Sequence, residues 1–196
     1  MILEIAVFDI EGAIVAEKAG ANRIELCVSY SEGGISPSHG SIKWAAENIQ
    51  IPVFVMIRPR GGSFIYSEKE IEIMKNDIAF CRDNGVDGVV FGILDDSGNV
   101  DVKNCLALIE TAGNMQLTFH RAFDRVVNPI QAIEHIISCG FHRILTSGQE
   151  DTAEQGLENL KQYINTANDR IIIMPGSGIN ENNLLEIHKQ LNANEY

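Results

Sequence analysis

What this 196-residue chain lacks narrows the field first. No apolar run approaches the roughly 18 residues that a membrane-spanning helix needs, which excludes an integral membrane protein of that kind. No basic, signal-like start precedes Met1-Ile-Leu-Glu4, which enters a strand-like run directly, so a secretory leader is not expected. Basic residues are scarce: 15 Lys and Arg against 27 Asp and Glu give a net charge of −12. That is the reverse of the cationic footprint that nucleic acid requires, and it reads as a solubility feature. The four cysteines (Cys27, Cys81, Cys105 and Cys139) stand far apart with no C-x-x-C pair. A disulfide framework and a zinc ribbon are thereby excluded, and a reducing, cytoplasmic setting is expected. No linker or low-complexity segment interrupts the chain, so one domain spans residues 1–196.

What is present is a regular alternation. Short runs rich in Val, Ile and Phe lie at 2–8, 23–28, 53–60, 88–94, 117–123, 143–147 and 170–174, as expected of parallel strands buried on both faces. Amphipathic stretches separate them. Ser67-x-x-Glu70 and Asp151-x-x-Glu154 have the form of capping boxes, and Asn128-Pro129 places a cap residue before a first-turn proline. Helix-to-strand junctions repeat: Gly20-Ala-Asn-Arg-Ile24, Gly85-Val-Asp-Gly-Val89 and Gly140-Phe-His-Arg-Ile144 each offer a glycine for a left-handed cap just before a strand. Strand starts near 2, 23, 52, 88, 117, 143 and 170 recur every 28 residues or so, about the length of one βα unit.

About seven such units fit the chain, whereas eight close a TIM-type (β/α)8 barrel. Asn192-Ala-Asn-Glu-Tyr196 aligns with Gly20-Ala-Asn-Arg-Ile24, with asparagine at the cap position, so an eighth strand is expected to begin there. An open barrel leaves two apolar edges, so the natural chain is expected to continue past Tyr196 or a partner to cover the gap. A doubly wound open sheet is the competing architecture, but Phe8-Asp-Ile-Glu-Gly12 carries no G-x-G-x-x-G fingerprint.

Barrel active sites sit at the C-terminal strand ends, and strand side chains alternate between faces. The alternation puts Glu4 and Ala6 of the first strand, and Glu25 and Cys27 of the second, in the lumen. Buried carboxylates need partners, and Arg58 and His120 are the expected ones. These groups form either a structural plug or a functional pocket. Ile57-Arg-Pro-Arg-Gly-Gly62 resembles an anion clamp built on Arg58 and Arg60. Thr118-Phe-His-Arg-Ala-Phe-Asp124 sets His120, Arg121 and Asp124 at a strand end, His120 serving as base, ligand or core group. Two further strand ends are Thr146-Ser-Gly-Gln149 and Pro175-Gly-Ser-Gly-Ile179. The second, before a helix expected near Asn180, makes either a phosphate-binding turn through Gly176 and Gly178 or simply a tight turn. Cys81, Cys105 and Cys139 fall on helical patterns as small hydrophobes, and Met56 and Met174 read as core.

At these residues the chain resembles the copper homeostasis protein CutC family. The shared motifs are Ile24-Glu-Leu-Cys27, Glu32-Gly-Gly34, Ser36-Pro-Ser38 with Gly40, Ile57-Arg-Pro-Arg-Gly-Gly62, Phe64 with Tyr66, and Gly98-Asn-Val-Asp101. Further on come Thr118-Phe-His-Arg-Ala-Phe-Asp124, Leu145-Thr-Ser-Gly-Gln149 and Pro175-Gly-Ser-Gly178. The resemblance implies a TIM-type barrel, a cytoplasmic location, homo-oligomers, an association with copper tolerance, and members that extend past Tyr196. Some members carry a second inward cysteine where this chain has Ala6, so a two-thiolate Cu(I) site cannot form here and only Cys27 remains as a metal ligand. Two functions follow as expectations: Cu(I) handling through Cys27, or catalysis on a small anionic or phosphorylated substrate. The enzyme reading assigns acid–base chemistry to Glu4, Glu25, His120 and Asp124. Its substrate contacts are Arg58, Arg60, Arg121, Ser147, Gly176 and Gly178. A scaffold working through an oligomer surface is the third reading.

Overall fold

The computed structural model describes residues 1–196. Seven strands alternate with seven helices: β1 Glu4–Val7, α1 Ile10–Lys18, β2 Arg23–Leu26, α2 His39–Asn48, β3 Val53–Met56, α3 Glu68–Asp83 and β4 Gly88–Phe91. They continue as α4 Val102–Ala112, β5 Gln116–Phe119, α5 Pro129–Cys139, β6 Arg143–Thr146, α6 Leu157–Ala167, β7 Ile172–Pro175 and α7 Leu184–Leu191. All strands are parallel in the order β1-β2-β3-β4-β5-β6-β7, so the sheet curls in one direction without the reversal that defines a doubly wound fold. Past α7 the chain returns to β1: Tyr196 donates to the Ile2 carbonyl at 3.0 Å, and Glu4 donates to the Tyr196 carbonyl at 2.8 Å. Residues 194–196 thus pair along β1, as the repeat alignment expects, and Asn192 caps α7 in the left-handed region with φ 50°.

Local sequence explains most boundaries. Gly20, Gly85 and Gly140 have φ of 90°, 74° and 93°, the left-handed turn that carries each helix into the next strand. Ser67 and Glu70 form the reciprocal capping box at the start of α3, and Asn128 caps α5 ahead of Pro129. The Asp151–Glu154 box does not form. Thr152 instead accepts from Gln155 in a turn, and α6 begins only at Leu157 behind Gly156. The last helix likewise starts at Leu184 rather than near Asn180, because Asn180 and Asn183 bond each other across an intervening turn.

Strand alternation sorts the core into two layers. Ile24, Leu26, Val53, Val55, Val89, Phe91 and Phe119 face the helices within one large apolar cluster. Cys27, Phe54, Met56 and Val90 form a small separate cluster inside the curl. No helix is long and apolar enough to cross a membrane.

Candidate functional site

Toward the N-terminal ends of the strands, the lumen is filled by four charges that close on one another. Glu4 lies opposite Arg23 in the β1–β2 register and forms an ion pair with it. Arg23 also meets Glu195, and Arg143 donates to the same Glu195 oxygen at 3.0 Å. Both guanidiniums cover Phe54, at 4.6 and 4.9 Å from its centroid, a favourable cation–π arrangement. Phe54 fits because its neighbour across the register is Gly88, where a Cβ would come within 2.7 Å of the ring. The expected pairing of Glu4 with Arg58 or His120 is therefore corrected. Arg23 shares the inward parity of Glu25 and Cys27, and it reaches Glu4 first.

Toward the C-terminal strand ends, the lumen opens into a cavity of about 760 Å³ lined by Glu4, Glu25, Cys27, Arg58, His120 and Arg121. Its apolar wall includes Phe8, Leu145, Pro175 and Ile179, and Tyr30 packs edge-on against Phe8 at the rim. Arg58 follows β3 and is 5% exposed. Its Nη1 donates to the carbonyls of Glu32 (2.6 Å) and Gly34 (3.0 Å), and its Nη2 donates to that of Gly62 (2.9 Å). These bonds brace the β2–α2 and β3–α3 loops but supply no counter-charge. Among the buried arginines, Arg23 and Arg143 have carboxylate partners and Arg58 has none.

His120 ends β5, and its Nδ1 accepts from the Ala122 amide at 3.3 Å. Burial, reinforced by the nearby Arg58 charge, lowers its pKa to about 3. The ring is therefore neutral at pH 7, and with Nδ1 accepting, Nε2 carries the proton. Phe64 joins the two groups, its ring 4.8 Å from both the Arg58 guanidinium and the His120 ring. Glu25, on β2, is raised to about 8, first by burial and then by the Glu4 charge, and is a neutral acid at pH 7. Only four buried side-chain polar atoms in the molecule lack a hydrogen-bond partner: Glu25 Oε1, Arg58 Nε, His120 Nε2 and Tyr66 Oη. Three belong to residues that line this cavity, and the fourth sits on the β3–α3 loop that Arg58 braces.

The remaining sequence candidates divide. Asp124 lies beneath the cavity wall as an acceptor hub for the Thr146 hydroxyl, the Ser147 amide (3.2 Å) and hydroxyl (3.1 Å), and the Arg121 Nε (2.8 Å). Ser147 also accepts from Arg121 Nη2 at 3.0 Å, so Asp124 and Ser147 position Arg121 and do not themselves line the cavity. Arg60 points away from it, onto Glu70 and the carbonyls of Ser63 (2.9 Å) and Ile65 (2.8 Å). Gly176 and Gly178 line the cavity, but the Gly176 amide is spent on the Thr146 carbonyl at 2.9 Å, which weakens the phosphate-turn reading.

Cys27 is 1% exposed, and burial, followed by the charge and contact of Glu25, pushes its thiol well above the ordinary range. Ala6 pairs with Glu25 in the β1–β2 register. Met174 Sδ is engaged by Arg23 Nη2 at 3.5 Å, and no three His, Cys, Asp or Glu side chains gather as a metal site. Cys27 packs with Phe54, Met56 and Val90, so the soft donor beside it is a thioether and no second thiolate stands in this cluster for Cu(I). Sequence reasoning missed Arg23, Arg143 and Glu195 in the lumen, and also Gly92, where a Cβ would stand 2.7 Å from His120 Nδ1. Parity along β2 exposes Arg23. Nothing local exposes Gly92, whose neighbour is 28 residues away.

Against known proteins, the CutC family profile matches residues 1–196. The mouse copper homeostasis protein cutC homolog is 46% identical over 195 residues, covering 100% of this chain and 72% of the mouse protein. The CutC family protein of Photorhabdus laumondii is 48% identical over 187 residues, covering 95% of this chain and 74% of its own length. The solved CutC structure from Streptococcus agalactiae superposes with a TM-score of 0.94 at 31% identity, over 100% of this chain and 96% of that one. The aldolase QR15, with a TM-score of 0.69 and 14% identity over 96% of this chain and 84% of its own, shares the fold alone. The shared profile, the identity along the chain and the superposed barrel together make this protein a member of the CutC family.

Proposed function

We propose that this cytoplasmic protein serves the copper homeostasis that its relatives' names describe as a barrel that binds a small anion at its mouth, and not as a store for Cu(I). The observation that carries this reading is the buried Arg58 guanidinium, which donates hydrogen bonds only to backbone carbonyls and lacks a carboxylate. A buried charge without a counter-ion is costly, and the adjacent cavity offers room for an anion to relieve it. His120 Nε2–H and Arg58 Nε–H both remain free to donate, and Glu25 supplies an acid whose pKa lies near neutrality, which equips the site for proton transfer as well.

The test is a thermal-shift panel of phosphate, sulfate and organic acids on the wild type, Arg58→Gln and Arg58→Lys, with an anaerobic Cu(I) titration on the wild type and Cys27→Ser. A ligand that binds only the folded state raises apparent stability. The expected result is stabilisation by an anion that Arg58→Gln abolishes and Arg58→Lys partly retains, with Cu(I) affinity unaffected by Cys27→Ser. Stabilisation by no anion would overturn the reading. Tight stoichiometric Cu(I) binding lost in Cys27→Ser would restore the metal account.

A further inference from the structure

The charges around the cavity limit which anion it can take. Arg23 and Arg143 balance Glu4 and Glu195, and Arg121 is balanced by Asp124. One positive charge, Arg58, is left over. A phosphate dianion would bring one more negative charge than Arg58 offsets, with the Gly176 amide already spent on the Thr146 carbonyl. A monocarboxylate balances Arg58 and leaves nothing over.

The orphaned atoms then specify more than charge. Arg58 Nε and His120 Nε2 are two donors, and a carboxylate can satisfy both. Glu25 Oε1 is a third, separate orphan on β2, 5% exposed and reached by neither. A protonated carboxyl there both donates and accepts, so its counterpart is an uncharged oxygen, a hydroxyl or a carbonyl. Part of the cavity wall is apolar, and the Phe8–Tyr30 pair, 5.1 Å between centroids, stands at the rim with Tyr30 79% exposed. That wall suits an apolar tail.

We infer that the site binds a 2-hydroxy or 2-oxo monocarboxylate with an apolar side chain, its carboxylate on Arg58 and His120 and its second oxygen on Glu25. This rests on the small-anion reading above and narrows it to one substrate class. Three orphaned protein atoms are met by three ligand oxygens, and the apolar tail lies along Phe8, Leu145 and Ile179.

The experiment compares matched ligands by calorimetry: phenyllactate and phenylpyruvate against 3-phenylpropanoate, which lacks only the second oxygen, with inorganic phosphate beside them. A site that hydrogen-bonds a substrate oxygen rejects the analogue without it, because the protein group is left unpaired. The wild type is expected to prefer phenyllactate or phenylpyruvate over 3-phenylpropanoate by about tenfold or more. Glu25→Met is expected to erase that preference while retaining affinity for 3-phenylpropanoate, a readout that lost folding cannot imitate. Equal binding of the matched ligands, a preference that survives Glu25→Met, or phosphate binding more tightly than any monocarboxylate would overturn the assignment and leave the small-anion reading standing. Binding of no anion at all would overturn both.

Discussion

The two ends of the barrel interior hold similar side chains in opposite states. At the N-terminal end, Glu4, Arg23, Arg143 and Glu195 are buried, and each has a partner of opposite charge. At the C-terminal end, Glu25, Arg58 and His120 are equally buried, yet each leaves one polar atom unanswered. A few ångströms along the same strands decide the difference. Arg23 and Glu25 are two residues apart on β2, one neutralised and the other left as an acid raised to about 8. A fold that can satisfy its interior at one end has no structural need to leave the other end unsatisfied. On the anion-binding proposal the unpaired groups await a ligand, and the paired ones hold the scaffold.

The sharpest way to break the comparison is to mutate across it. Arg23→Met removes the partner of Glu4 and one of the two partners of Glu195, leaving a buried carboxylate uncompensated. The expected loss is about 3–5 kcal/mol of unfolding free energy in urea at neutral pH. A loss below about 1 kcal/mol would show that water reaches this end and that the plug is not dry.

At the mouth the sign reverses. The folded pKa of Glu25 is raised from 4.5 to about 8, so the folded state holds a proton that the unfolded state releases. Its contribution is neutral below 4.5, and stability is lost as pH rises from there to about 8. Glu25→Gln removes that penalty, so the variant is expected to be more stable than the wild type at pH 7, by at most about 3 kcal/mol. Its urea midpoint should flatten between pH 4.5 and 8. A remaining decline below pH 6.5 is expected from His120, which stays neutral in the fold down to about 3 while the unfolded ring takes up a proton. A destabilised Glu25→Gln at pH 7 would place Glu25 with the scaffold. The stabilised outcome is the usual trade of stability for a prepared site.

How much of this was legible depends on the reach of each interaction. The barrel followed from features a few residues wide: left-handed glycines at 20, 85 and 140, and a strand about every 28 residues. These local rules hold because parallel strands and their caps are set by backbone geometry. Strand parity placed Glu4, Glu25 and Cys27 in the lumen correctly. Which charge meets which did not follow, because Arg23–Glu195 and Arg143–Glu195 join residues 172 and 52 positions apart. Position in a chemically rich motif also misled. Arg60 and Asp124 sit in such motifs, but Glu70 holds the first on the loop side and Thr146 and Ser147 hold the second beneath the wall. Thr146 and Ser147 lie on the next βα unit from Asp124, beyond any local pattern. Glu70, by contrast, is ten residues from Arg60 within one unit and shows its pairing only once the loop is folded.

Gly92 gives the smallest but most selective test, because it touches the mouth without removing any polar group. A Cβ at this position would stand 2.7 Å from His120 Nδ1, 2.9 Å from its Cε1 and 3.1 Å from the Ala122 Cβ, all too close for an unshifted ring. The ring must turn, which breaks the Ala122 bond that fixes Nε2 as the donor. Overpacking of this kind costs about 1–3 kcal/mol, below the expected loss at Arg23. Gly92→Ala is therefore expected to fold with a modestly lowered midpoint and to lose the stabilisation that an anion confers on the wild type. Full retention of that stabilisation would mean that His120 does not face the ligand, and that Arg58 binds the anion without it.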